Sequence, residues 1–426
     1  MKRYSEYKDS GVKWIGEIPG HWKMPKLNRV VSKVGSGSTP RGGSEVYIDE
    51  GIKFLRSQNI HFEGLNLDSV VYIPDSINEQ MKNTQVQPFD VLLNITGGSI
   101  GRCFYVDDTL GKANVNQHVC IIRPLSVNYR FLKYFLQSNS GQSQVWFYQK
   151  GDREGLSAES IKTFRLPLPP LPEQQAIVTY LDTKVAKIDE YISIAEKKIA
   201  ALEELRQTII AEAVTRGIHK DVPMKDSGVK WIGMIPEHWK VNKIRSHFKE
   251  RRVKVSDKDF QALSVAKIGI VPQLEDACKT DNGDNRKQVL KGDFVVNSRS
   301  DRKGSCGISP LDGSVSLINI VLRPFNILQE YVHYLFRSHN YIEEFYRNGR
   351  GIVADLWTTR YSEMRNIQIP VPPLYEQQEI VTYIEAKAAK IDQLCQAERS
   401  QIEKLKEYKQ RLISDVVTGK VKVTND

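Results

Sequence analysis

The sequence predicts an α+β chain. It reads as two similar domains of mixed strands and helices, joined and separated by two long antiparallel coiled-coil helices with pseudo-two-fold symmetry. Three observations predict it. The fourteen residues "SGVKWIGEIPGHWK" (10–23) return as "SGVKWIGMIPEHWK" (227–240), differing only at Glu17/Met234 and Gly20/Glu237. "LPLPPLPEQQAIVTYLDTKVAKID" (166–189) returns as "IPVPPLYEQQEIVTYIEAKAAKID" (369–392). After each copy of the second motif, apolar residues settle into a seven-residue period. Internal repeats set architecture, so they take precedence over local propensity.

The opening motif recurs after 217 residues and the second motif after 203, so the second intervening region is 14 residues shorter. The intervening regions, about 24–165 and 241–366, do not match each other closely. Both are rich in β-branched and aromatic residues between Gly, Asn, Asp and Ser turns, a pattern of short strands and loops. "YRFLKYFLQS" (129–138) and "QEYVHYLFRS" (329–338) read as matching helices, each following an Arg-Pro pair (Arg123-Pro124, Arg323-Pro324). The expected division is 1–170 for the first domain with its opening motif, 171–217 for the first long helix, 218–373 for the second domain and 374–426 for the second helix.

The helices are read from their seam. Leu181, Ile188, Ala195, Leu202 and Ile209 recur every seven residues, with Val185, Ile192 and Ile199 between them. The second copy supplies Ile384, Ala388, Ile391, Cys395, Ile402, Leu405 and Leu412. A heptad seam of this length predicts paired helices. Pro172 and Pro373 mark the starts, Glu173 and Glu376 suit the first turn, and Gly217 and Gly419 follow the ends. Roughly 41 residues at ~1.5 Å each give a rod about 60 Å long.

Composition narrows the class. A chain of 426 residues with 40% hydrophobic and 26% charged residues is globular and holds two to three domains. No run of 18 apolar residues is present, so no membrane span is expected. The start MKRYSEYKDS lacks an apolar secretory core, which with the five scattered cysteines (Cys103, Cys120, Cys278, Cys306, Cys395) predicts a cytoplasmic protein with buried thiols. The net charge of +10 favours a polyanionic partner, most often nucleic acid.

Catalytic motifs are missing from the sequence. There is no G-x-x-x-x-G-K-[ST] loop and no N/D-P-P-Y/F motif of an adenine-N6 methyltransferase. "GGSIG" (97–101) lacks dinucleotide-loop spacing and reads as a turn. "PDSINEQMK" (74–82) has acidic residues but no nuclease E-x-K. The eight histidines show no metal spacing, and His21 and His238, between Trp and Pro neighbours, read as structural. The chain therefore reads as a binder and organiser rather than an enzyme, with no catalytic or metal-binding residues expected.

Two "W-I-G-x-I-P-x-H-W" starts, two "P-P-L-x-E-Q-Q" hinges, two long helices and two dissimilar middles resemble the specificity (S) subunit of type I restriction–modification systems, over essentially the whole chain. The resemblance implies two target recognition domains, each reading one half of a split duplex DNA sequence. It implies helices that separate them and dock two modification subunits, with restriction subunits in the larger complex. It places S-adenosylmethionine, ATP and Mg on those partners and no cofactor in this chain. By the same resemblance, Glu173, Gln174, Gln175, Ile177 and Tyr180, with Glu376, Gln377, Gln378, Ile380 and Tyr383, are candidates for holding the modification subunits; core packing is the alternative for the apolar ones.

Base reading needs Arg or Lys toward guanine and Asn or Gln toward adenine, while phosphate contacts add salt-dependent affinity without sequence choice. Candidates in the first region are Ser38, Thr39 and Arg41 in "GSGSTPRGGS", Arg56, Gln58 and Asn59 in "FLRSQNIH", Asn94, Thr96 and Arg102 in "NITGGSIGR", Asn116 and Gln117 in "KANVNQH", and Arg153 in "YQKGDREG". In the second they are Arg251 and Arg252 in "KERRVK", Lys267 in "SVAKIG", Asn297, Arg299, Arg302 and Lys303 in "VNSRSDRKGSCG", and Arg350 in "YRNGRGIVADLW". Each loop reads equally as an internally bonded polar turn. The repeated Trp14, Pro19 and Trp22, with Trp231, Pro236 and Trp239, are expected to pack each domain start near a helix end rather than to touch DNA.

Overall fold

Runs such as "VLLN" (Val91–Asn94) are apolar without alternation because both of their faces are covered. In the computed structural model, which describes residues 2–149, 155–273, 283–351 and 357–423, this strand is central in a four-stranded antiparallel sheet. The order is Val31–Ser36, Val119–Pro124, Val91–Asn94, Cys103–Tyr105. Val91 and Leu93 face one cluster with Phe131 and Phe135 of the helix Tyr129–Gln137. Leu92 and Ile121 face another with Leu55 and Val115, which come from a smaller sheet of Val71–Ile73, Ile52–Leu55 and Ala113–Val115.

The chain divides into two compact units, Met1–Ala195 with Ser400–Asp426, and Glu196–Arg399. Each takes in part of both long helices. The second unit repeats the four-stranded order with Phe248–Glu250, Asn319–Pro324, Phe294–Asn297 and Cys306–Ile308. Its helix Gln329–Arg337 packs there as expected from the sequence. The smaller sheets differ. In the first unit Ile52–Leu55 is central and pairs parallel with Ala113–Val115. In the second, Arg286–Val289 is central and wholly antiparallel, and a hairpin of Leu263–Ala266 and Gly269–Pro272 is added.

Cys103 and Cys306 occupy equivalent strands, and their thiols donate to the Lys133 and Phe336 carbonyls. Burial pushes both thiols up to about 12. Cys103, Cys120, Cys306 and Cys395 are buried free thiols; Cys278 lies outside the described residues.

The long helices run Leu171–Arg216 and Leu374–Val417, of 46 and 44 residues. In the first unit Lys409 pairs with Asp189 at 2.7 Å. In the second, Arg206 pairs with Asp392 at 2.9 Å and Arg399 with Glu203 at 3.0 Å. In the second unit rising numbers on one helix meet falling numbers on the other, so the helices are antiparallel there. Asp189 and Asp392 are repeat equivalents, as are Lys409 and Arg206. Leu181, Ile188 and Ala195 are buried in the seam, as are Ile384, Ala388, Ile391, Cys395, Ile402 and Leu412. Toward the end of the first helix Ile210, rather than Ile209, becomes the buried residue, with Ala213 and Val214. A helix of 3.6 residues per turn drifts from a strict seven-residue period, which accounts for the change.

The opening motifs meet helix ends inside their own units. Gly419 (φ 75°) follows the second helix, and a Cβ there would lie 2.3 Å from Pro19 Cδ and 3.2 Å from Trp22. Gly217 (φ 76°) follows the first, and a Cβ there would lie 3.2 Å from Trp239 and 3.5 Å from Pro236. Trp22 and Trp239 are buried. The repeated text thus seats a helix terminus in each unit. Among the described residues, no helix is long and apolar enough to cross a membrane.

Candidate nucleic-acid interface

In the first unit, the loop after Val31–Ser36 crosses segment 115–117. Gly37 N–H donates to the Val119 carbonyl at 2.8 Å and Ser38 N–H to the Val115 carbonyl at 3.3 Å. A Cβ on Gly37 would lie 2.2 Å from the Asn116 carbonyl oxygen, so only glycine allows the crossing. This brings half-buried Ser38 and exposed Thr39 beside exposed Gln117, with exposed Arg41 further along the loop. Thr96 Oγ1 lies 2.6 Å from His118 Nδ1, and Gln117 Nε2 lies 2.9 Å from His118 Nε2. His118 therefore joins two candidate loops. The sequence reading did not single it out, although it closes the "KANVNQH" segment.

Three asparagines proposed as DNA contacts are corrected by their burial. Asn59 is fully buried; its Oδ1 accepts from Arg56 N–H at 2.9 Å and its Nδ2 donates to the Asn66 carbonyl at 2.9 Å. Asn94 is fully buried and donates to the Ser57 carbonyl at 2.8 Å. Asn116 is 8% exposed and accepts from His118 N–H at 3.2 Å. They shape the loops instead of reaching outward. Arg56 Nη2 donates to the Ser69 carbonyl at 3.0 Å, and exposed Gln58 donates to Ser69 Oγ at 3.3 Å. Arg102 is half-buried. Arg153 lies outside the described residues.

In the second unit, Arg251 is also corrected. Its Nε and Nη2 donate to the two oxygens of buried Asp293 at 2.6 and 3.1 Å. Arg123 and Asp90 make the same fork in the first unit, both bonds at 2.8 Å. A buried carboxylate needs such a partner, so Arg251 is committed to the frame. Arg252 is exposed, with Nε on Glu250 at 2.6 Å. Lys267 sits at the exposed tip of the extra hairpin beside Ile268. Half-buried Asn297 accepts from Arg299 N–H at 3.2 Å.

The basic cluster around Arg299 is partly neutralised. Arg299 pairs with Asp301 at 2.9 Å, Arg302 lies 3.7 Å from the same carboxylate, and Lys303 pairs with Glu343 at 3.0 Å. Thr358 bridges to both Arg299 and Arg350, as Gly155 bridges to Thr96 in the first unit. Arg350 is exposed, 4.0 Å from Glu363. Thr96 and Arg299, with their partners Gly155 and Thr358, thus occupy equivalent bridge positions in the two units.

The hinge residues divide by burial. Gln174 is buried, accepting from Asn128 N–H at 2.8 Å and donating to the Pro169 carbonyl at 2.8 Å. Gln377 does the same with Leu328 N–H and the Pro372 carbonyl, both at 2.8 Å. Ile177 and Ile380 are fully buried in their units' cores. Glu173 accepts from the Tyr4 hydroxyl at 2.6 Å and lies 2.9 Å from His21; buried Glu376 lies 2.7 Å from His238. Gln174, Gln377, Ile177, Ile380 and Glu376 are therefore corrected from partner contacts to internal ties, and His21 and His238 are structural, as expected. Gln175, Gln378 and Tyr383 are exposed and Tyr180 half-buried. Leu374, Tyr375, Tyr191 and Ile194 are further exposed apolar residues of the long helices, beyond the off-seam candidates read from the sequence.

Two copies of one sheet-and-helix frame, each carrying its own exposed polar and basic loops, define a duplicated binding protein with two dissimilar surfaces. The chain belongs to the type I restriction modification DNA specificity domain family, which matches residues 19–204 and 241–404. It is 23% identical over 433 residues to a Methanocaldococcus jannaschii protein assigned as the specificity subunit of the type I restriction enzyme MjaX, covering 96% of both chains. It is 20% identical over 427 residues to the StySPI specificity subunit of Salmonella potsdam, covering 95% of this chain and 90% of that one. A chain from a structure of the type I R-M system has the same fold, with a TM-score of 0.66 at 16% identity over 94% of this chain and 98% of that one.

Proposed function

We propose that this chain is the non-catalytic DNA-specificity subunit of a type I restriction–modification complex. It reads a split target in duplex DNA, one half per unit, and scaffolds two modification subunits and the restriction subunits. The observation that carries this reading is the double match to the specificity family, each largely over one unit, with the frame repeated and the loops not. In the first unit the candidates for DNA contact are Ser38, Thr39, Arg41, Gln58, Thr96, Gln117 and His118. In the second they are Arg252, Lys267, Arg299, Arg302, Lys303 and Arg350. Gln175, Gln378 and Tyr383, with the exposed apolar residues at the helix starts, are the candidates for the modification subunits. S-adenosylmethionine, ATP and Mg then belong to the partners.

Modified-base sequencing of DNA from cells carrying the complex tests this. The expected result is one bipartite motif methylated on adenine. Methylation without sequence preference, or turnover of S-adenosylmethionine by the purified chain alone, would overturn it.

A further inference from the structure

The second unit contains a cleft of about 530 Å³ with a strongly basic lining that the family match does not assign. Arg252, Lys287 and Arg360 line it against a single carboxylate, Glu250. Glu250 is 10% exposed at its side chain and lies 2.6 Å from Arg252 Nε and 3.6 Å from Lys287 Nζ. Lys287 is committed inward: its ammonium donates to the Asn319 carbonyl at 2.7 Å and its side chain is 16% exposed. Arg252 is the opposite, with 77% of its side chain exposed. Glu250 fixes the inner nitrogen of its guanidinium and leaves the outer edge to meet two acceptors together.

Arg360 lines the same cleft, is exposed, and is in no ion pair among the described residues. Leu317 and Ile318, 40% and 37% exposed, add apolar side chains to the lining. An oriented arginine edge can meet a phosphate or the paired acceptors of a base, and the apolar side chains in the same cleft suit a base edge with its methyl groups.

The repeat separates frame from reading. By the pairing of each edge strand with its neighbour that ends in Arg-Pro, Glu250 falls at Val34 and Arg252 at Ser36; by the 203-residue spacing Arg360 falls at Ser157. Asp90 and Asp293 are repeat equivalents, each buried and held by an arginine fork, from Arg123 and Arg251, which are not themselves equivalents; Arg252 and Arg360 have no basic residue at the matching positions. The buried carboxylate of the frame is matched in both halves, and the cleft's exposed cations are not.

We infer that this cleft is a specificity-determining site for one half of the DNA target, in which Arg252, oriented by Glu250, pairs with the O6/N7 edge of a guanine while Arg360 holds an adjacent phosphate. The inference rests on the proposed function and names the ligand of one of its surfaces. Glu250 is a positioning residue.

The test uses the full chain assembled with its modification subunits, titrated with its methylated target sequence and with every single-base change in it, at several salt concentrations. Arg252→Ala is expected to lower the preference for guanine at one position of one half-site by about 5- to 150-fold, leaving the other half-site unchanged. Arg252→Lys keeps the charge but lacks the planar fork, and is expected to lose part of the same preference without weakening every sequence alike. Glu250→Gln is expected to relax the same position partially. Arg360→Ala is expected to weaken every sequence alike and to reduce the salt slope by about 1. Equal weakening of all sequences by both Arg252 variants, or unchanged base preferences, would overturn the inference. Absence of any preference in the unsubstituted complex would instead overturn the proposed function.

Discussion

Gln174 and Gln377 show how one residue type serves two ends. In sequence they stand beside Gln175 and Gln378 and look alike. In the fold, the first glutamine of each pair ties a proline carbonyl at the hinge to the backbone N–H that precedes the short helix, while the second lies on the surface. His333 is another residue decided by its surroundings. Burial, with Arg337 nearby, pushes its imidazole down to about 4. Below pH 6.5 the unfolded chain takes up a proton that the folded chain refuses, so the stability present above pH 6.5 is lost as pH falls toward 4. Denaturant midpoints at pH 7 and pH 5 should differ by the equivalent of roughly 1–2 kcal/mol on this account. His333→Gln should remove most of that difference; an unchanged slope in the variant would refute the assignment.

At the scale of elements, the ends of the long helices carry the sharpest expectation. Both Gly217 and Gly419 have positive φ, which an alanine adopts at a cost of about 1–2 kcal/mol. They differ in space, because a Cβ at 419 meets the Pro19 ring at 2.3 Å while one at 217 finds its nearest neighbour at 3.2 Å. Gly419→Ala should therefore destabilise by roughly a further 1–3 kcal/mol compared with Gly217→Ala. Thermal melting of the two variants ranks them, and equal losses would show that the Pro19 contact relaxes. The long helices were legible in advance because the heptad period is written locally; that short strands fill the intervening regions was legible, but not how they pair. Arg286–Val289 and Ile52–Leu55 differ in pairing direction although both are short β-rich runs, and direction is set by which distant strand lies alongside.

For the whole molecule, duplication with divergence is the organising fact. Under the proposed function, removing one heptad from each long helix at matched seam positions should change the spacing between the two half-sites while leaving the bases of each half unchanged. Methylation mapping reads both quantities at once, and altered half-sites at constant spacing would contradict the prediction. The sequence by itself determined the two-fold repetition, the antiparallel seam and the family, because repeats and periods survive as text. Only the tertiary structure decided which polar residues face outward. Asn59, Asn94 and Asn116 are turned into the frame by backbone groups that no spacing rule foresees, and adjacent Arg251 and Arg252 part company. A buried carboxylate claims the first, while the second points away from it, and that choice is made by contacts between residues far apart in the chain.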